Sequence, residues 1–484
     1  MAYIGRDTDK ISNVEVLDNI TFDGSSSYTL QKGGSNFTPS SANTLLVSID
    51  GVVQAGNFTV SGSTIDFGTA VAGTSTCDFI LHYGIGLITT VSDGTVTTAK
   101  LADSSVTAAK ITDSTITAAK LASGTVQNQS AFKNIIINGD MSIAQRGTSE
   151  SGVGASDVYL IDRFQLDVNA TPSARFTMSQ DTDVPTGQGF SKSLKLDCTT
   201  AQTSYSSSQL IAVVQRIEGQ NLQYLKYGTS SAQSLTLSFW VKSNKTGTYV
   251  CEIDDADNSR NINKSYTINS ANTWEKKEIT FAGDTTGAFT NDNNLSMNVI
   301  WWLGAGSNYT SGTLNNAWES TVNANRAVGQ VNLADSTANE WYITGVQLEA
   351  GTSASDFEFL PVDVNLQRCQ RYFYQIISKS DINSLNAYGY YYSASNVKFP
   401  IRLPTQMRTT PTLLQDIDTN ALRFYRDSTY DGLSANFLLD GNGSGRYVSM
   451  YNPTDASGTA GQSGQLYKYT PTQADSYIWL DAEL

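Results

Sequence analysis

The chain has 484 residues and a single histidine, His82. That count removes most metal chemistry, since histidine-rich zinc sites and the H-E-x-x-H pair need more than one imidazole. A Ser-His-Asp triad has only His82 to build on, and His82 ends the strand-like run FILHYG, where an ordinary strand residue is the simpler reading. Cysteine is scarce too. Cys77, Cys198, Cys251 and Cys369 lie far apart, form no C-x-x-C pair and sit beside strand-like sequence. They read as free buried thiols, not as a disulfide framework. Charged residues make up only 16% of the chain, and 45 acids against 31 Lys and Arg leave a net charge of −14. Nucleic acid needs a basic surface, so no nucleic-acid partner is expected. No stretch approaches the ~20 apolar residues of a membrane span, so no membrane insertion is expected. The opening MAYIGRDTDK lacks the apolar core of a secretory signal, and the expectation is synthesis in a reducing cytoplasm.

What remains is rich in Gly, Ser, Thr and Asn, with nine prolines and few long helix formers. This composition predicts an all-β protein with many turns. The length suits roughly three domains at about 150 residues each.

Residues 93–126 carry a ten-residue repeat: DGTVTTAKLA, DSSVTAAKIT, DSTITAAKLA and a broken start, SGTV. An aliphatic residue recurs every five positions, at Val96, Leu101, Val106, Ile111, Ile116, Leu121 and Val126. Five matches neither a helix nor a strand, so each decad is expected to change conformation halfway. One copy offers a single thin apolar line and cannot offset the entropy of ordering it. Several parallel copies around an axis can, with that line inward and Lys100, Lys110 and Lys120 outward. The repeat therefore predicts a short homotrimeric shaft over 91–130, against a disordered linker as the alternative.

In front of it, residues 1–90 read as a small β domain. TLLVSIDGVVQ is a hairpin signal with Asp50-Gly51 at its turn, FTVSGSTIDF is a second with Gly62, and CDFILHYG is a further strand. Beyond the repeat, residues 131–362 offer strands at 234–243, 247–254, 273–281, 295–304 and 340–351, separated by polar loops as in a sandwich. Residues 363–484 open on LQRCQRYFYQ, which reads as an amphipathic helix, with Leu366, Cys369 and Phe373 at helical spacing, or as the start of a strand. VKFPIRLPTQMRTTPTL follows, with Pro400, Pro404 and Pro411 restricting it to edges or bends.

The series FDGS…YTL…LLVSIDGVVQ…FTVSGSTIDF…FILHYG resembles the N-terminal anchoring domain of phage tail fibres of the short-tailed, podovirus type. FKNIIINGDMSIAQRGTS with YLIDRFQLD, and the closing GVQLEAGTSASDFEFLPVDVNLQRCQRYFYQ, resemble a β-sandwich module of phage fibres that looks like carbohydrate-binding jelly rolls. The final block resembles the small β-sandwich tip of such fibres. The resemblance implies several β-sandwich or jelly-roll domains joined by a short trimeric repeat shaft. It also implies a location in the virion tail, an attachment to tail adaptor or nozzle proteins through residues 1–90, and binding of host surface polysaccharide or lipopolysaccharide for adsorption.

Candidate sugar contacts are aromatic, because sugar rings stack on aromatic faces. Trp301 and Trp302 must face opposite sides of a strand, one in the core and the other on the outer face or at an interface. Trp318, in the loop-like TLNNAWESTV, and Tyr309 are expected to be exposed. In AYGYYYSAS, alternation sends Tyr390 and Tyr392 to one face and Tyr391 to the other. The ligand-binding candidates are thus Trp318, Tyr309, Trp302, Tyr390 and Tyr392, with core packing the competing reading for the tryptophans. Asp254, Asp255, Asp257 and Asn258 form an oxygen-rich loop that a hard cation could use, but their spacing is not that of an EF-hand, and a solvated turn is preferred. No metal, no cofactor and no catalytic residue is expected. The alternatives are a fibre with glycosidase-like activity, whose carboxylate pair no spacing would reveal, and a purely structural tail connector.

Overall fold

A computed structural model describes residues 14–83, 101, 102, 106, 132–380, 384–418, 421–441, 446–469 and 476–484. The repeat expected to form the shaft lies outside these residues, apart from Leu101, Ala102 and Val106. Leu101 and Val106 are 46% and 53% exposed in the single chain. The chain forms two compact units, residues 1–120 and 121–484. The described residues are almost all strand and turn, so the all-β expectation holds.

In the first unit, a four-stranded antiparallel sheet runs in the order Val14–Leu17, Cys77–Tyr83, Leu45–Ile49, Val52–Val53. A three-stranded sheet of Ser27–Thr29, Thr64–Asp66 and Thr59–Ser61 and a short hairpin of Gln31–Lys32 with Ser35–Asn36 accompany it. Leu17, Leu30, Val47, Ile65 and Ile80 form the core. The Asp50-Gly51 turn has φ of 51° and 77°, the left-handed pair that a two-residue hairpin requires. Its Gly51 N–H donates to Asp78 Oδ2 at 2.7 Å, which pins the hairpin to the neighbouring strand. His82 is a buried strand residue, edge-on to Phe37 at 5.0 Å.

The second unit holds a six-stranded and a seven-stranded sheet, both antiparallel. The first runs Ser149–Val153, Arg175–Asp181, Ser193–Thr200, Glu340–Ala350, Leu235–Ser243, Glu275–Phe281. The second runs Val158–Tyr159, Gln165–Asn169, Leu210–Glu218, Leu295–Ala305, Gly247–Asp255, Arg260–Ile268, Glu319–Ser320. Phe176, Leu194, Leu237, Phe239 and Trp341 of one sheet pack on Val213, Cys251, Ile253, Val299 and Trp301 of the other. The five strands anticipated in this block are all present within one or two residues of their expected ends.

The segment beginning at Phe132 is laid along this sandwich by side-chain to backbone bonds. Asn134 donates to Val346 O at 3.0 Å and accepts from Leu348 N at 3.0 Å, and the Gln215 amide both donates to and accepts from the backbone of Ile137. Gly139 is required here, since a Cβ would lie 2.0 Å from Val346 O.

The last block starts with a helix, Val362–Gln370, and a three-stranded sheet of Phe373–Ile377, Tyr477–Asp481 and Thr412–Asp416. Both readings of LQRCQRYFYQ are realised in turn: Leu366 and Cys369 lie on the helix, and Phe373 is the first strand residue. The helix ends before it, and burial of Phe373 against Trp479 outweighs the helical spacing. A seven-stranded sheet follows, in the order Thr429–Leu433, Leu422–Arg426, Ser463–Lys468, Ser384–Tyr391, Val397–Arg402, Tyr447–Asn452, Leu438–Asp440. Phe399, Phe424, Met450 and Leu466 of this sheet share a core with Ile377, Ile478 and Leu480. Pro400 is not on an edge strand as expected. It is tolerated because pairing with Ser384–Tyr391 ends at Lys398, so the missing N–H breaks no ladder.

Sandwich and tip are joined by a buried ionic cluster. Glu218 is fully buried and receives Arg371 Nε and Nη2 at 2.7 Å each, plus the Tyr372 hydroxyl at 2.5 Å. Burial pushes the Glu218 carboxyl up, but these donors outweigh it and hold it below the usual carboxylate value. Arg163 pairs with Glu483 and stacks on Tyr372 at 3.5 Å, and Arg146 stacks on Phe373 at 3.6 Å and reaches Asp481 at 3.0 Å. Breaking one partner of a buried pair strands the other charge. Arg371→Ala should therefore cost about 3 kcal/mol or more of stability. Chemical denaturation read by tryptophan fluorescence measures this, and a loss under about 0.5 kcal/mol, the size of an ordinary surface substitution, would refute the cluster's role.

Candidate functional site

The sandwich aromatics are packing residues. Trp301 and Trp302 face opposite sides of the Leu295–Ala305 strand, as alternation requires, but both are buried. Trp301 enters the main core. Trp302 lies on the outer face under a strap of residues 306–327, against Tyr309, Ala327 and Leu314. Its indole donates to Glu252 Oε2 at 2.8 Å, and Arg326 closes the other Glu252 oxygen at 2.8 Å. Tyr309, expected exposed, is 8% exposed. Its ring sits 5.4 Å from Trp302, and its hydroxyl accepts from Asn169. Trp302 and Tyr309 are thus corrected from ligand candidates to the inner surface of the chain's own strap. Trp318 is half-buried, edge-on to Tyr227 at 5.7 Å, with its N–H spent on Ala282 O at 2.6 Å.

The oxygen-rich loop is a network of internal bonds. Asp254 accepts from Asn298, Asp257 accepts from Thr290 N, and Asp255 accepts the backbone and side-chain amides of Asn258. Among the described residues no cluster of three or more metal-ligating acids, cysteines or histidines forms. Asp255 is fully buried, beside Asp284, which pairs with Arg260.

The tip carries exposed aromatics. Tyr388, Tyr390 and Tyr392 are 66%, 40% and 62% exposed, while Tyr391 between them is 1% exposed. Tyr391 is turned into the core against Phe424 at 5.4 Å, and its hydroxyl is held by Asp431 and Arg426. That inward anchor fixes which side its neighbours present. On the same outer face Lys398 lies directly across from Tyr390 and over the Tyr392 ring at 4.2 Å, with Asp440 at 2.7 Å holding its ammonium in place. Arg423 lies over Tyr430 at 4.1 Å and Tyr469 at 3.4 Å. The AYGYYYSAS motif brings Tyr388, Tyr390 and Tyr392 together. It gives no hint of Tyr425, Tyr430 or Arg423, which come from a hairpin some 35 residues later and reach the same face only through the sheet order. Tyrosine rings held by cations offer flat apolar faces with polar tips, which suits stacking with hydrogen bonding and not proton transfer.

No family model matches the chain, and no curated protein matches it. Among solved structures it is similar to the enzymatically active domain of bacteriophage CBA120 tailspike protein 4. That match has 14% identity and a TM-score of 0.25, and covers 45% of this chain and 21% of the tailspike chain. It is similar to a putative sugar-binding protein from Bacteroides thetaiotaomicron, with 13% identity, 45% and 99% coverage and a TM-score of 0.26. It is also similar to a family 11 carbohydrate-binding module from Clostridium thermocellum, with 10% identity, 43% and 99% coverage and a TM-score of 0.21. Likenesses at this level carry no weight for function, which is argued below from the chain's own residues.

Burial pushes the Asp255 carboxyl up to about 6, against the hydrogen bonds of Asn258 and with repulsion from Asp257 and Asp284. A raised carboxyl favours the fold when protonated. Its contribution is complete below 3.8, its value when unfolded, and is lost as pH rises through about 6. Asp255→Asn should flatten the stability change across that window. Urea unfolding at pH 4 and pH 6.5 checks this, and an unchanged pH dependence would assign the loss to other groups.

Proposed function

We propose that the chain is a trimeric phage tail-fibre adhesin that binds host surface glycan through its tip and does not cleave it. The observation that carries this reading is the exposed face bearing Tyr388, Tyr390 and Tyr392, with Lys398 fixed among them. Exposed large aromatics in one patch mark recognition surfaces, and tyrosine binds with little loss of conformational freedom. The carboxylates Glu218 and Glu252 are fully buried and committed to Arg371 and Arg326, which leaves them unable to act as the acid and nucleophile of a glycosidase.

The rest of the chain takes its place around that contact. Residues 1–90 are the virion-anchoring domain, held by a tail adaptor or nozzle protein. Residues 91–130 are the shaft, residues 131–362 the sandwich and residues 363–484 the receptor-binding tip. The five-residue aliphatic period supports the trimer, since one chain leaves Leu101 and Val106 in water. Three weak sites on one shaft bind with multiplied avidity, so each site need not be tight.

Two measurements test this. Light scattering at micromolar concentration should give three times the chain mass of 52.2 kDa, and a monomer would overturn the trimer. Tyr390→Ala and Tyr392→Ala should each weaken binding to immobilised bacterial surface polysaccharide about tenfold, the loss of one stacking contact, with circular dichroism unchanged. Release of reducing ends from that polysaccharide would instead establish an enzyme.

A further inference from the structure

We infer that a cleft at the Tyr388 end of the tip face is the sugar-gripping part of that face, and that it takes a neutral, hydroxyl-rich oligosaccharide. The inference rests on the reading of the face as a glycan contact and adds where the sugar sits and what kind it is. The cleft measures about 460 Å³, within the range of small-ligand sites. It lies over the strands Ser384–Tyr391, Ser463–Lys468 and Leu422–Arg426, and is rimmed by the hairpin turn into Thr429–Leu433.

The strand register aligns its groups. Tyr388 is directly opposite Gln465, Gln465 is opposite Tyr425, and Tyr425 is opposite Tyr430. One row across four strands therefore reads ring, amide, ring, ring. Tyr388 and Tyr425 stand two strands apart, about 10 Å at the usual strand spacing. Tyr425 is wedged between Tyr430 and Tyr467, with ring centroids at 5.4 and 5.5 Å, so its position is fixed before any ligand arrives. Gln465 is exposed between the two platforms.

The turn supplies a second observation. Asp427 and Ser428 have φ of 44° and 67°, so this is a two-residue turn with both central residues left-handed. Asn-Gly is the sequence such a turn favours, and a serine there is strained. Gly would relieve the strain, yet the chain places two hydrogen-bonding side chains at the cleft mouth. Left-handed residues occur elsewhere in the chain, but only this strained pair lines the cleft, which supports a binding use for the Ser428 hydroxyl.

The charges point to a neutral ligand. Arg426 is committed to the Tyr391 hydroxyl at 2.9 Å, to Asp431 at 3.2 Å and to Ser457 O. Asp427 Oδ2 accepts from Gln462 at 3.1 Å. One cation and one anion line the cleft; Arg426 is already paired with a carboxylate, so an acidic sugar finds no free cation there, and the Asp427 carboxylate, bonded only to a neutral amide, repels it. Tyr388, Tyr425, Ser428, Thr429 and Gln465 remain, and these stack on rings and bond hydroxyls.

The test uses the full-length protein on an array of neutral, uronate-bearing and sialylated oligosaccharides, with the tightest neutral glycan re-measured by calorimetry. Neutral glycans should bind. Ser428→Gly should raise the melting temperature while weakening that glycan about tenfold, the value of one ligand hydrogen bond. Tyr388→Ala should weaken it at least as much, and Tyr224→Ala, on the sandwich, should leave it unchanged. If Ser428→Gly and Tyr388→Ala bind as the parent does while Tyr390→Ala and Tyr392→Ala lose binding, the cleft is overturned and the face stands. If only acidic glycans bind, the neutral ligand is overturned. If no glycan binds, both readings fall.

Discussion

The second unit depends on one buried carboxylate. Glu218 ends a long strand of the sandwich, and Arg371 and Tyr372 arrive from the helix that opens the tip. A carboxylate taken fully out of water is costly unless donors surround it, and here a forked guanidinium and a phenol do so. Gln220 of the sandwich donates as well, but both charge-balancing nitrogens and the phenol come from the other block, so the charge is balanced only when the two are docked. Arg146, Arg163 and Arg408 extend the same logic to residues 481–483, each binding a carboxylate or backbone oxygen there. An ionic junction of this kind fixes a single relative orientation where an apolar one tolerates sliding. The tyrosine face beyond it is therefore held at a set angle to the sandwich.

Much of the fold was legible because it was local. Hairpins announced themselves through Asp50-Gly51 and Gly62, and the sandwich strands through alternating Val, Ile, Phe and Thr. The four cysteines are free and buried, as their spacing implied. What local pattern left open was decided by distant partners. LQRCQRYFYQ reads as helix or strand start, and Phe373 falls to the strand because it is buried there against Trp479. Pro400 looked like an edge residue, yet the neighbouring ladder simply stops short of it.

Exposure of single aromatics was the least legible property. Tyr309 lies in a polar, turn-rich segment that reads as surface loop, and Trp302 follows a core tryptophan by one position. The segment 306–327 folds back over the sheet and covers both, an event encoded in no local pattern. Its driving force is the Glu252 cluster. The Asn261 amide, the Trp302 indole and Arg326 converge on one buried carboxylate, and Arg326 belongs to the strap. The strap closes to pair that charge and takes the aromatic face with it. Tyr388, Tyr390 and Tyr392 follow simple alternation, and among the described residues no segment covers them.

That contrast explains why the rings left exposed on one face are tyrosines and not tryptophans. The sandwich has the larger rings, but it is also the block with spare loops long enough to bury them. In the AYGYYYSAS strand, Tyr391 turns inward and its hydroxyl is tied to Asp431 and Arg426, so the strand cannot slip its register without breaking that bond. The outward tyrosines are thereby fixed in place without being covered. Their hydroxyls keep the face wetted, while Lys398 and Arg423 lie across rings and limit their rotation. A face that is rigid before contact loses little entropy on contact, so whatever binds it spends less of its binding energy on ordering these rings.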